Sequence, residues 1–261
     1  MLTSVQNPLV KEIRKLHQSK GRKEQQLFLL EGTHILEEAC HKSYPLLTVC
    51  CTPEWQERNQ SLWELLSQKA QRIELVSERV LKSLTTTVNP DGIIAIAPQK
   101  STNSVKIASL GIALDKLQDP GNFGTIIRTA TATDVDGLWL SADSVDLYHP
   151  KVVRASAGVW FKLPMAISEN LKAEVLKLQN QGLQVVATVP NSTINYWQID
   201  LRKPTLIILG NEGSGISQDL LELADYSVKI PLGHEVESLN VAVCTAVILY
   251  EVQRQRQSQS N

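Results

Sequence analysis

Three short stretches combine Gly, Asn, Ser, Glu and Arg in a way that a plain folded core does not require. The first is Asp119-Pro120-Gly121-Asn122-Phe123-Gly124-Thr125-Ile126-Ile127-Arg128. It follows an apolar run, Leu110 to Leu114, and leads into helical spacing at Ile126, Ile127 and Ala130, so it reads as a strand-loop-helix corner. Glycines let a backbone approach a ligand closely, and the N–H groups of a new helix favour anions, so the corner suits a phosphate. A tight βα turn with no ligand is the plainer reading of such a loop taken alone. The second stretch, Leu209-Gly210-Asn211-Glu212-Gly213-Ser214-Gly215-Ile216, comes directly after a strand candidate at 205–209. It matches neither the G-x-G-x-x-G spacing of dinucleotide sites nor a P-loop, since it has no Lys. The third, Ile230-Pro231-Leu232-Gly233-His234-Glu235-Val236-Glu237-Ser238-Leu239-Asn240, is a strand end and polar loop before an apolar helix, which Ser238 could cap.

The elements that must position these stretches alternate. Asn7-Pro8 is a helix start, with Leu9, Ile13 and Leu16 as an apolar stripe and Lys11, Arg14 and Lys15 away from it. Strands are expected at 27–30, 46–50, 72–76 and 92–97, with helices at 33–40, 61–70 (capped by Ser61) and 77–84, giving an α/β domain over residues 1–98. Pro98 to Ser104 is polar and aperiodic and reads as a linker. Over 106–261 a second alternation places strands at 107–114, 137–140, 163–167, 183–188, 205–209 and 227–230, and helices at 124–133, 150–159, 170–179 and 217–223. Such alternation implies a mostly parallel sheet covered on both faces. Residues 239 to about 254 form a helix apolar nearly all round, buried or at an interface, and the tail from Arg254 should fray.

The chain of 261 residues can bury a sizeable core, and its net charge of −1 makes no global case for a polyanion partner. The charge is uneven, however. Lys11, Arg14, Lys15, Lys20, Arg22 and Lys23 face only Glu12 in the first 23 residues, so this arm carries +5 and the remainder −6. Such an arm fits a polyanion partner and equally fits a solvated amphipathic helix. Cys40, Cys50, Cys51 and Cys244 lack zinc-site spacing, so no metal is expected and a reducing, cytoplasmic location is the simpler assumption. No apolar stretch is long enough to cross a bilayer. His149 and His234 read as loop histidines, and Trp139, Trp160 and Trp197 as core or interface residues.

Taken together, the three stretches resemble the TrmH/SpoU family of RNA ribose 2′-O-methyltransferases, within the SPOUT superfamily. The resemblance covers roughly residues 107–251, with Pro150 to Gly158 as a fourth similar stretch. Asn122 and Arg128 match the family's first motif, Gly210 and Glu212 the second, and Ser238, Leu239 and Asn240 the third. It implies an α/β fold whose parallel sheet carries a C-terminal trefoil knot, a small N-terminal α/β substrate-binding domain, and a homodimer. It also implies S-adenosylmethionine as cofactor, held by Thr188, Val189, Gly210, Ile230, Leu232 and Leu239, and RNA as substrate, with ribosomal RNA favoured over tRNA. Catalysis would rest on Arg128, Asn122, Glu212, Ser238 and Asn240, and RNA binding on Lys11, Arg14, Lys15, Arg22, Lys23 and Arg154. A guanidinium stays protonated at ordinary pH, so Arg128 fits a phosphate and alkoxide partner better than the general base the family proposal makes it, with Glu212 orienting Arg128 or the ribose. Asp134 stands where the family has a helix-ending Gly, a left-handed position that Asp tolerates. Cys244 replaces a small residue on the buried helix. A non-catalytic RNA-binding or ribosome-assembly protein is the competing class, and Asn122, Arg128, Glu212 and Asn240, all present, argue against it. A small-molecule hydrolase lacks a nucleophile elbow.

Overall fold

The computed structural model describes residues 1–100, 104–233 and 236–257. Part of the expected linker, His234 and the last four residues of the tail lie outside the described residues. The chain divides into two compact units, Met1–Ser101 with Asp146–Phe161, and Thr102–Val145 with Lys162–Asn261. Among the described residues no helix is long and apolar enough to cross a membrane.

The first unit is built on four strands, β1 (Leu27–Glu31), β2 (Leu46–Cys51), β3 (Ala70–Leu75) and β4 (Ile93–Pro98), in the order β1-β4-β2-β3. β4 runs antiparallel to β1 and β2, whereas β2 and β3 are parallel. The helix Pro8–Lys15 starts as its sequence dictates: Asn7 accepts a hydrogen bond from the Leu9 N–H and Pro8 opens the first turn. Its Val10 and Ile13, with Leu16, pack against Leu29, Cys50, Val80 and Ile94. The basic segment is therefore no detached arm, because the inner side of its helix packs into the core. The Cys50 and Cys51 thiols are buried and pushed up to about 12 by that burial, consistent with cysteines acting as small apolar residues.

Two expected RNA contacts are occupied inside this unit. Arg22, in the helix Ser19–Gln25, is 1% exposed, donates to Asp146 Oδ2 at 2.7 and 2.8 Å, and donates to the Leu16 and His17 carbonyls. A guanidinium so enclosed is a structural cation and cannot meet a phosphate. Arg154 donates to the Glu31 carboxylate at 2.7 Å and the Thr86 hydroxyl at 2.6 Å. Lys11, Arg14, Lys15 and Lys23 remain exposed, Lys15 beside Glu12.

Segment Asp146–Phe161, which the 106–261 sequence range includes, packs in the first unit. Its Tyr148 and Trp160 rings lie 4.9 and 5.3 Å from Phe28, and the Tyr148 hydroxyl donates to the Lys100 carbonyl. His149 caps the helix Pro150–Ala155 by accepting from the Lys151 N–H. Its pKa is lowered by burial and by nearby Arg22, which favours the neutral form that capping needs.

The second unit holds β5 (Leu110–Leu114), β6 (Gly137–Ser141), β7 (Met165–Ser168), β8 (Gln184–Thr188), β9 (Ile194–Asn195), β10 (Thr205–Leu209) and β11 (Tyr226–Lys229). Their order is β7-β6-β5-β10-β8-β11-β9, and every pairing is parallel. β5, β6 and β10 are buried at each residue, which is why they read as continuous apolar runs. Helix ends depart from expectation where a side chain outside the periodic pattern caps them. The first-motif helix starts at Pro120, because Asp119 accepts from the Asn122 N–H at 2.7 Å. The last helix, Val241–Gln257, is capped by Asn240, not Ser238, and extends past Arg254, with Arg256 donating to the Leu201, Lys203 and Ser109 carbonyls. Helix Gln60–Lys69 has no side-chain cap, so Ser61 does not serve as one. Asp134 adopts the left-handed conformation expected of it, φ 53°.

Removing Asp146 leaves the Arg22 charge buried with carbonyls alone. Asp146→Ala should cost about 3–5 kcal/mol in urea unfolding; a loss below about 1 kcal/mol would mean that the carbonyls suffice.

Candidate active site

β5 and β10 are neighbours in register, Leu114 opposite Leu209, so the two corners that follow them emerge side by side. In the first corner, Phe123, Gly124, Ile126, Ile127 and Ala130 turn into the core. Arg128 lies roughly 200° around the axis from Ile126 and is exposed, with no hydrogen bond or ion pair to a described residue. Gly121 and Gly124 lie within the helix, and the Asp119 carboxylate sits at the helix N-terminus. The expected phosphate-cradling loop is therefore not realised; what the corner presents is the side-chain face of Asn122 and Arg128.

The second corner folds back on itself. Asn211 and Gly215 exchange backbone hydrogen bonds of 3.0 and 2.9 Å, and a Cβ on Gly210 would collide with the backbone of Gly215 and Ile216. Glycine at 210 is thus required by the loop's own closure. Glu212 is carried at the exposed tip.

The third segment completes the cluster. The Asn240 side-chain oxygen, Oδ1, accepts from the Ala242 N–H at 3.0 Å and the Val243 N–H at 3.4 Å, capping the final helix. Its amide nitrogen donates to Asn122 Oδ1 at 2.9 Å and Glu212 Oε1 at 3.2 Å, while Asn122 Nδ2 donates to the same Glu212 oxygen. Two amides thus fix one carboxylate. Glu212 pairs with Asn122 and Asn240, not with Arg128, so it orients the amides. Ser238 is exposed on the approach.

Beside this cluster opens a cleft of about 320 Å³. Thr188, Val189, Gly210, Ile230, Leu232 and Leu239, the six residues expected to hold a cofactor, all line it, together with Glu212, Ser238 and Cys244. Its size matches the lower end of cofactor pockets, about 300–1,000 Å³. Apolar walls from Val189, Ile230, Leu232 and Leu239 beside the loop backbone at 210–216 suit a molecule with an apolar body and several polar edges. Burial, aided by Glu212, raises the Cys244 pKa, which keeps that thiol protonated and unreactive. Lys229 also lines the cleft and escaped the sequence reading, as did Asn211. An Asn two residues before a Gly after a strand is an Asx-turn signal that could have found the latter. Among the described residues no group of three or more His, Cys, Asp or Glu could hold a metal ion.

Residues 109–250 match the model of the SpoU rRNA Methylase family, and residues 7–95 that of the MRM3-like substrate binding domain. The chain is 48% identical to a Synechocystis sp. protein named as an uncharacterized tRNA/rRNA methyltransferase, over 98% of this chain and 94% of that one. It is 32% identical to the 23S rRNA (guanosine(2553)-2′-O)-methyltransferase RlmP of Bacillus subtilis, over 96% and 98%. The crystal structure of an AdoMet-bound rRNA methyltransferase from Sinorhizobium meliloti superposes with a TM-score of 0.87 at 30% identity, covering 97% of each chain.

Because Asn240 both caps and donates, its roles can be separated. Asn240→Ala should lower stability by about 1 kcal/mol in chemical denaturation, and Asn240→Ser, a comparable cap too short for the cluster, should recover most of that. Equal losses would assign the stability to the cluster instead of the cap.

Proposed function

The chain belongs to the SpoU rRNA methylase family, and from that membership we propose that it methylates a ribose 2′-hydroxyl of 23S ribosomal RNA in the cytoplasm. It is an S-adenosylmethionine-dependent RNA 2′-O-methyltransferase. The observation that carries the site assignment is the convergence of Asn122, Glu212 and Asn240 beside a cleft lined by Thr188, Gly210, Ile230 and Leu239. The RlmP relative, matched over nearly its whole length, favours 23S RNA over tRNA.

The cofactor supplies an electrophilic sulfonium methyl when bound. The protein's part is alignment, since transfer to a hydroxyl oxygen is an in-line displacement and positioning accounts for much of such a rate. Asn122 and Asn240, fixed by Glu212, hold the ribose beside the cleft, and Ser238 lines its approach. Arg128 meets the adjacent phosphate and stabilises negative charge growing on the 2′-oxygen as the hydroxyl proton passes to solvent water. The exposed faces of Lys11, Arg14, Lys15 and Lys23 take more distant phosphates. The same family reading carries the trefoil knot and the homodimer; exposed Val243 and Tyr250 on the last helix support a dimer surface.

Incubation of 23S RNA with the protein and S-adenosylmethionine, followed by mapping of alkali-resistant linkages, should give a new 2′-O-methyl site. Arg128→Ala should lose it by about a hundredfold or more in rate with cofactor affinity nearly unchanged. Methylation of tRNA alone would overturn the RNA assignment, and equal loss of turnover and cofactor binding the role of Arg128. Charge removal at Lys11, Arg14 and Lys15 should flatten the slope of log Kobs against log salt by about 1–3; an unchanged slope would leave them as a solvated helix face.

A further inference from the structure

The residue next to Glu212, Asn211, is hydrogen-bonded on both sides of its side-chain amide. Asn211 Nδ2 donates to the Lys116 carbonyl at 2.9 Å, and its Oδ1 accepts from the Gly213 and Ser214 N–H groups at 2.8 and 3.0 Å. One side-chain amide therefore faces two ways. Its oxygen closes the loop that carries Glu212, and its nitrogen ties that loop to the corner from which the Asn122 helix departs.

That corner is itself held in an uncommon shape. Lys116 has φ 56°, a left-handed conformation rare for a residue with a side chain, and such strain persists only where surroundings impose it. The Lys116 N–H donates to the Ser141 hydroxyl, and its carbonyl accepts from Asn211 and Gln118. A second tie lies beside the first: the Asp115 carboxylate, 3% exposed, accepts from the Ser217 N–H at 2.7 Å, just beyond the loop. Asp115 thus anchors the far end of the loop, whereas Asn211 anchors the end adjoining Glu212.

We propose that Asn211 is a positioning residue for methyl transfer, which sets the Glu212 carboxylate against Asn122 and Asn240 by bridging the two corners. This rests on the assignment of that cluster to the reaction. The cofactor wall formed by Gly213 to Ile216 depends on the oxygen side of the same amide, and the catalytic register on the nitrogen side. The two sides are chemically separable. Aspartate keeps the acceptor for Gly213 and Ser214 but cannot donate to the Lys116 carbonyl, and places an anion against it; alanine loses both.

In Asn211→Asp, kcat for RNA methylation should fall by about tenfold to a hundredfold, the range expected for misplacing an aligned group, while cofactor Kd by calorimetry stays within about threefold. Asn211→Ala should weaken both. A readout independent of turnover is the side-chain amide resonances of Asn122 and Asn240 in selectively 15N-labelled protein, which should move in Asn211→Asp in the direction seen for Glu212→Gln. Turnover within about twofold of the parent, unmoved Asn122 and Asn240 signals, or cofactor binding lost in step with kcat would each overturn the proposal. If the unmodified protein methylates no RNA the functional reading fails, whereas the resonances still decide whether Asn211 positions Glu212.

Discussion

The pairing of β5 with β10 is the constraint on which the site depends, because it makes neighbours of residues about ninety positions apart in sequence. With Leu114 opposite Leu209, and the Asp115 N–H donating to the Leu209 carbonyl, both chains leave the sheet at one edge and at one height. From there the connections diverge. The chain after β5 goes to β6 on one side, whereas β8 and β11 lie on the other. In open parallel sheets a crevice forms outside the carboxyl ends of strands where the order divides in this way. Here the last helix enters beside it, and Asn240 at its cap supplies the third member of the cluster. The polar cluster is small and partly exposed, so its stability comes from the strands and caps that deliver it rather than from its own hydrogen bonds.

The first unit shows how burial sorts residues of the same type. Arg22 and Arg154 engage Asp146 and Glu31, whereas Lys11, Arg14 and Lys15 lie on the outer side of a helix whose inner side is core. Composition counts all five as basic; packing decides which can meet a polyanion. The segment Asp146–Phe161 contributes Asp146 and Arg154 to those internal pairs and two aromatic rings to the packing around Phe28, so it is structural material for this unit. Both pairs are tied through further hydrogen bonds, Arg22 to two carbonyls and Glu31 to Thr86, which is the condition under which the enclosed members, Arg22 and Glu31, are tolerated as charges.

What was legible in the sequence follows from which physical signals are local. The apolar runs of β5, β6 and β10 and the Asn7-Pro8 helix start carry their structure in adjacent residues, and the six residues that the family resemblance assigned to a cofactor lie along one cleft. The rest needed distant partners. Nothing near Arg22 announces Asp146, and Gly210 is explained only when Gly215 folds back over it. Asp119 and Asn240 displaced the expected helix starts because a capping side chain lies outside the apolar periodicity that marks a helix. Glu212 was expected to orient Arg128 or the ribose; its carboxylate accepts from Asn122 and Asn240, contacts that need all three segments brought together.

The choice of amides around Glu212 has an electrostatic logic of its own. A cluster built from three carboxylates would set three negative charges where an RNA backbone must approach, and close like charges at a partly exposed site repel. Asn122 and Asn240 give the same shape and the same number of polar atoms while donating hydrogen bonds to Glu212, so the cluster holds one carboxylate instead of three. Arg128, on the neighbouring face of the Asn122 helix, supplies a compensating positive charge. The cluster thus pairs one carboxylate with two amides, beside an exposed cation. On the role proposed for Arg128, an arginine suits this position better than a lysine, because a planar fork can meet two phosphate oxygens at once where an ammonium is a point charge.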